Sequence, residues 1–176
     1  MDDKEIFLQD EIWLVTISAA FQRANVFVPN PDELRKEALK KMVRGYIDNT
    51  ILYNYHHDII DDQHIENIYQ IQDYSKNFRD ILTNGSFSFG VSQKILNLYL
   101  KFQWCLGRLK SIPPHFPVDR RIQKELSLPK IVAWTRDMEE EEYLNVINYA
   151  REKLNYYKKD NIAELELYLF KRRGSI

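Results

Sequence analysis

Apolar residues along this chain recur at helical intervals and almost nowhere alternate with polar ones. Over residues 4–24, Ile6, Phe7, Ile12, Trp13, Leu14, Ile17, Ala20 and Phe21 keep a helical spacing, which predicts a first helix closed by Asn25. Asn30-Pro31-Asp32-Glu33 reads as the next helix start. Asn would be its cap, Pro its first helical residue, and the acids would meet the positive helix end. This helix runs to about Asn49, and one further helix or two cover roughly 51–83. Ile60, Ile65, Ile68, Ile71, Tyr74, Phe78 and Ile81 are the apolar members there, and Asn84-Gly85 is the stop.

Residues 92–107 form the most apolar helix of the chain. On a wheel of ~100° per residue, Lys94, Asn97, Lys101 and Arg108 fall within an arc of ~60°, so this helix is buried except along one polar stripe. Pro113, Pro114 and Pro117 stiffen the loop that follows, and Asp119 stands where a cap belongs, ahead of a short basic helix from Arg120 to Leu126. Two more helices are predicted near 138–158 and 161–172. Glu139 to Glu142 opens the first, and Lys171-Arg172-Arg173 closes the second with charges that suit its dipole. No strand pattern and no internal repeat emerge. With 176 residues, 44% apolar, and only 5 Gly and 6 Pro, the chain can bury one good core. The expectation is an all-α, single-domain bundle over 1–176, with the 92–107 helix at its centre.

Charge changes this picture in one place. Formal net charge is -1, yet residues 90–130 carry eight Lys and Arg against two Asp and Glu, a local +6. A basic segment of this kind suits phosphates. The start, Met1-Asp2-Asp3-Lys4-Glu5, lacks the basic-then-apolar order of a secretory signal, and no apolar run nears the ~18 residues that span a bilayer. The single cysteine, Cys105, allows neither an intrachain disulfide nor a four-cysteine cluster. The expectations are a cytoplasmic protein, no membrane partner, no cofactor and no metal; nothing in the sequence selects an oligomeric state.

Within the basic segment, Gly90-Val91-Ser92-Gln93-Lys94-Ile95-Leu96-Asn97 is followed, after the Pro-rich loop, by Pro117-Val118-Asp119-Arg120-Arg121. A glycine-containing turn between two helices makes a phosphate grip, because its backbone N–H groups and the positive end of the second helix point the same way. Gly90 would let a phosphate approach closely. Such a grip reads no base sequence.

The order Gly90, Lys94, Asn97, Val118-Asp119 resembles the helix-hairpin-helix DNA glycosylase superfamily over residues 86–126, with the candidate hairpin itself at 70–107. Phe89 stands where that family usually has proline, Ser92 replaces its second glycine, and the interval from Lys94 to Asp119 is longer than usual. The resemblance implies DNA repair: a glycosylase, with abasic-site lyase activity through a lysine Schiff base. Lys94 would be the nucleophile and Asp119 the carboxylate that assists its deprotonation and offsets positive charge on the sugar. Gly90, Ser92, Asn97, Lys101, Arg120, Arg121 and Lys124 would contact DNA. The residue types suit the chemistry, since a lysine must shed a proton to attack and a capping carboxylate stays ionised. An expelled base needs an aromatic platform, for which Trp104, Phe102 and Trp134 are available.

Two other readings stand beside this one. A non-catalytic helical module could use the same basic segment to bind nucleic acid, or bind a protein instead. His56-His57-Asp58-Ile59-Ile60-Asp61-Asp62-Gln63-His64 holds three of the four histidines; if helical, it would bring His57, Asp61 and His64 to one face at a spacing that can hold a divalent metal.

Overall fold

The structure is a computed structural model that describes residues 2–170, and it is all-α. Its helices are α1 (Asp3–Phe21), α2 (Glu33–Tyr46), α3 (Asp61–Ser75), α4 (Phe89–Cys105), α5 (Arg120–Glu125), α6 (Glu140–Glu152), α7 (Leu154–Tyr157) and α8 (Ile162–Leu169). The nearest approach to a strand among the described residues is one isolated antiparallel bridge, Phe27 to Leu82. Lys171-Arg172-Arg173 lies outside the described residues.

α4 is the axis of the molecule. Every residue from Phe89 to Leu100 is buried, and α1 and α3 pack along it. The helix starts at Ser88, whose hydroxyl accepts from Val91 N–H. It ends at Cys105, where Gly107 takes the left-handed φ of 70° that turns the chain away. Loss of water contact over so long a helix supplies the driving force, at roughly 25 cal/mol for each Å² of apolar surface removed.

Several boundaries differ from the expectation, each for a local reason. Asp32, not Asn30, caps α2: its carboxylate accepts from Leu34 and Arg35 N–H at 2.8 and 3.1 Å, while Asn30 sits at φ 52° in the preceding turn. α2 widens into a π-helical turn at Ile47–Ile51, where the Asn49 amide donates to the Gly45 carbonyl at 2.7 Å and competes with the regular ladder. A 3₁₀ segment, Leu52–His56, follows, so α3 begins only at Asp61. The helix expected over 138–158 breaks at Lys153 and stops at Lys158, which takes a left-handed φ of 52°.

Gly90 needs a larger correction. It lies inside α4 rather than in a turn, and the chain between Phe78 and Phe89 supplies the connection. Its missing side chain serves close packing: a Cβ there would stand 1.7 Å from the Trp134 carbonyl oxygen.

Candidate active site

Lys94 and Asp119 meet, and the residues just before them explain how. The side-chain amide of Gln93 donates to the Val118 carbonyl at 2.7 Å and accepts from the Val118 N–H at 3.1 Å, all of it buried. Gln93 and Lys94 are neighbours on α4, as Val118 and Asp119 are in the loop. Gripping one pair therefore registers the other. Asp119 caps α5 as the sequence predicts, with Oδ1 accepting from Arg121 and Ile122 N–H at 2.9 and 3.0 Å. Its Oδ2 accepts from Lys94 Nζ at 2.5 Å. Burial alone would raise the Asp119 carboxyl, but the Lys94 charge and hydrogen bond, with the two backbone N–H groups, outweigh it and hold the group below the usual carboxylate range.

This pair borders a cleft of about 610 Å³. A second ion pair lies on the same cleft: Lys101 Nζ donates to Glu166 Oε2 at 2.6 Å, and the Glu166 side chain is only 3% exposed. Burial pushes the Glu166 carboxyl above its ordinary range, against the pull of Lys101 and Lys94, and the negative charge of Asp119 adds to the rise. The cleft also takes Arg23, Arg120 and Arg121, so among the described residues that line it five cations accompany two carboxylates, a formal +3. Aromatic rings complete it. Lys94 Nζ lies 5.8 Å from the Trp134 ring centre and Lys101 Nζ 4.2 Å from that of Phe170. Phe102 lines the cleft as well, whereas Trp104 lies outside its lining.

The Trp134 wall is fixed from two sides. Its carbonyl seats against Gly90, and Gln123 of α5 holds Val132 as Gln93 holds Val118, donating to the carbonyl at 3.0 Å and accepting from the N–H at 2.8 Å. Two glutamines thus tie down the loops that deliver Asp119 and Trp134.

The other residues singled out in the sequence divide sharply. Lys101, Arg120 and Arg121 join Lys94 and Asp119 at the cleft, while Lys124 is exposed on α5 outside it. Gly90, Ser92 and Asn97, expected at a DNA interface, are buried: Gly90 lies under Trp134, and Asn97 donates to the Tyr143 hydroxyl at 2.8 Å. The metal-binding arrangement at His57 does not form either. His57 is exposed and extended ahead of α3, Asp61 is held by Arg151 through two 2.7 Å hydrogen bonds, and His64 is buried against Tyr55. No group of three or more metal-binding side chains gathers among the described residues.

His64 belongs instead to a buried polar network that reaches the surface at Asp61. Its Nδ1 pairs with the Tyr55 hydroxyl at 2.8 Å, while the Tyr143 hydroxyl bridges toward His115 Nδ1 at 3.0 Å, whose Nε2 lies 3.0 Å from Asp61. Burial drives both imidazoles toward the neutral form, with His115 lowered to about 4 despite the pull of Asp61. Asp61 is lowered to about 2, chiefly by its hydrogen bonds from Arg151.

Glu166, Gln93, Gln123, Arg23 and Phe170 escape sequence reading. Glu166 alone left a trace, because it shares the apolar stripe of α8 with Ile162, Leu165 and Leu169, all buried, and a carboxylate on such a stripe needs a partner. No protein-family model, curated protein or solved structure matches the chain. No described helix is long and apolar enough to cross a membrane.

Proposed function

We propose that this protein is a DNA repair enzyme, a glycosylase with abasic-site lyase activity, and that Lys94 is its nucleophile and Asp119 its charge-stabilising carboxylate. One observation carries the reading: two residues far apart in sequence meet at 2.5 Å on the edge of a cationic, aromatic-walled cleft. In the reaction, the neutral Lys94 amine attacks C1′ of the damaged nucleotide. The bond from C1′ to the base breaks, with its electron pair leaving on the base, and the Asp119 charge offsets the cation on the sugar. Ring opening gives an iminium joined to Lys94. Phosphate contacts fall to Arg23, Arg120 and Arg121 at the cleft and to Lys124 beside it, and not to a glycine turn at Gly90.

Borohydride reduces such an iminium to a permanent secondary amine, so it should link the protein to an abasic oligonucleotide, and peptide mapping should place the link on Lys94. Lys94→Arg, which keeps the ion pair with Asp119, and Lys94→Gln should both abolish linkage with the far-ultraviolet circular dichroism unchanged. Linkage that survives in either variant, or none with the parent, overturns the reading. The competing account, a non-catalytic module, draws on the tight capping role of Asp119. It requires oligonucleotide binding that the triple change of Arg120, Arg121 and Lys124 to Glu removes, with no linkage under any condition.

A further inference from the structure

Two carboxylates share the cleft, and their surroundings assign them different work. We propose that Glu166 is a catalytic proton carrier, which takes the proton that Lys94 must shed and delivers it to the nitrogen of the departing base. This rests on the reading of Lys94 as nucleophile.

The two carboxylates differ first in the hydrogen bonds each has already committed. Asp119 Oδ1 is committed to two backbone N–H groups and Oδ2 to Lys94, so protonating it would waste a helix cap and an ion pair together. Asp119 is built to remain charged. Among the described residues the Glu166 carboxylate accepts from Lys101 alone, and it caps nothing. It sits in the middle of α8 and not at that helix's N-terminus, with its side chain almost wholly withdrawn from water but lining the cleft. Its neighbours are Lys101 and Lys94 on α4, Asp119 at the head of α5, and Cys105, whose thiol feels the Glu166 charge. The direction of the two carboxyls agrees with this division, Asp119 held down and Glu166 raised. Two acids pushed apart in this way mark a fixed charge and a proton exchanger.

The step balances within the protein. Glu166 accepts one proton as the Lys94 ammonium becomes an amine, then gives that proton to the base nitrogen as the C1′–N bond breaks. The carboxylate is restored, the base leaves neutral, and no further reactant is needed. On an abasic sugar no base needs a proton and Lys94 can shed its own to water in a fast equilibrium, so loss of Glu166 should tell chiefly where a base must be protonated as it leaves.

That difference supplies the test. The parent, Glu166→Gln and Glu166→Asp are each assayed for base release from oligonucleotides bearing uracil, hypoxanthine or 8-oxoguanine, and for borohydride linkage to an abasic oligonucleotide. Gln keeps an acceptor for Lys101 and so preserves the packing. Glu166→Gln should slow base release by about 100-fold or more, the range of general acid catalysis, and leave abasic linkage within about threefold of the parent. Glu166→Asp should recover part of the lost base release. Equal losses on both substrates, unchanged base release in Glu166→Gln, or a parent that links to abasic DNA but releases no base, would overturn this role while leaving Lys94 as nucleophile. A parent that never links overturns the underlying reading.

Discussion

Lys94 and Asn97 stand one helical turn apart on the same polar stripe of α4, yet they meet opposite fates. Lys94, with Lys101 a further two turns along, opens onto a cleft and carries charge to it. Asn97 runs into Tyr143 and closes into a network with His64, His115 and Tyr55 in which burial favours the neutral imidazoles. An angular position on a helix says only that a polar group is present. What faces it decides whether the group becomes chemistry or cement: an open cleft beneath Trp134 and Phe170 for the lysines, a wall of tyrosine and histidine for the asparagine.

The largest effect that separates the two regions belongs to the cleft. Asp119→Asn should slow base release and linkage by about 100-fold or more, as loss of one preorganised charge-stabilising group does, while removing Tyr143 from the network should leave the chemical rate nearly unchanged in protein that remains folded. Rates measured under single-turnover conditions on both variants would check this; comparable slowing in the two would erase the distinction.

Gly90→Ala comes next, since it strikes the contact that holds the cleft wall. The added methyl meets the Trp134 backbone and cannot be relieved by a side-chain rotation, so the loss should reach about 3 kcal/mol, the upper part of the usual range for overpacking. Urea unfolding followed by tryptophan emission would measure it, and a change under 1 kcal/mol would show that the 130–137 segment yields easily.

Acid should act on the network. The unfolded chain binds protons on its histidines near pH 6.5, whereas folded His115 holds off until about 4, so the unfolded state takes up more protons between those values. Stability contributed by the neutral ring is therefore complete above pH 6.5 and falls as pH drops toward 4, by about 3 kcal/mol for this residue. Asp61 extends the loss below pH 4, because its paired carboxylate must take a proton as pH falls toward 2. His115→Asn should flatten the decline between pH 6.5 and 4 in denaturant melts across that window. An unaltered slope would mean that His115 is already charged in the fold.

The smallest effect lies at the surface. Arg35 and Asp80 pair at 2.7 Å but remain open to water, so Asp80→Asn should leave the melting midpoint within its scatter.

Local rules carried the sequence reading a long way. The period of apolar residues in α1 and α4, and the position of Asp119 before two arginines, are statements about neighbouring residues, and the structure repeats them. Lys94 and Asp119 could be paired because the order of residue types suggested it, although nothing local measures their distance. Gly90 misled because a glycine near a helix start usually marks a turn, and only the fold discloses a distant carbonyl pressing on it. Gln93 and Gln123 were silent for a related reason. Their partners are peptide groups, which every residue possesses and no sequence displays.

The Gln93 grip on Val118 also frees the loop between. Because the amide fixes where the chain returns to α4, and His115 is moored separately to Tyr143 and Asp61, the outer stretch around Lys110 to Ile112 need only reach, and its length does not set where Asp119 lands. Closing a loop costs free energy that grows only with the logarithm of its length. One or two residues inserted beside the exposed Lys110 should therefore leave the geometry at Lys94 intact. The site can drift in chain length without drifting in space, as a rope moored at both ends may carry any slack between.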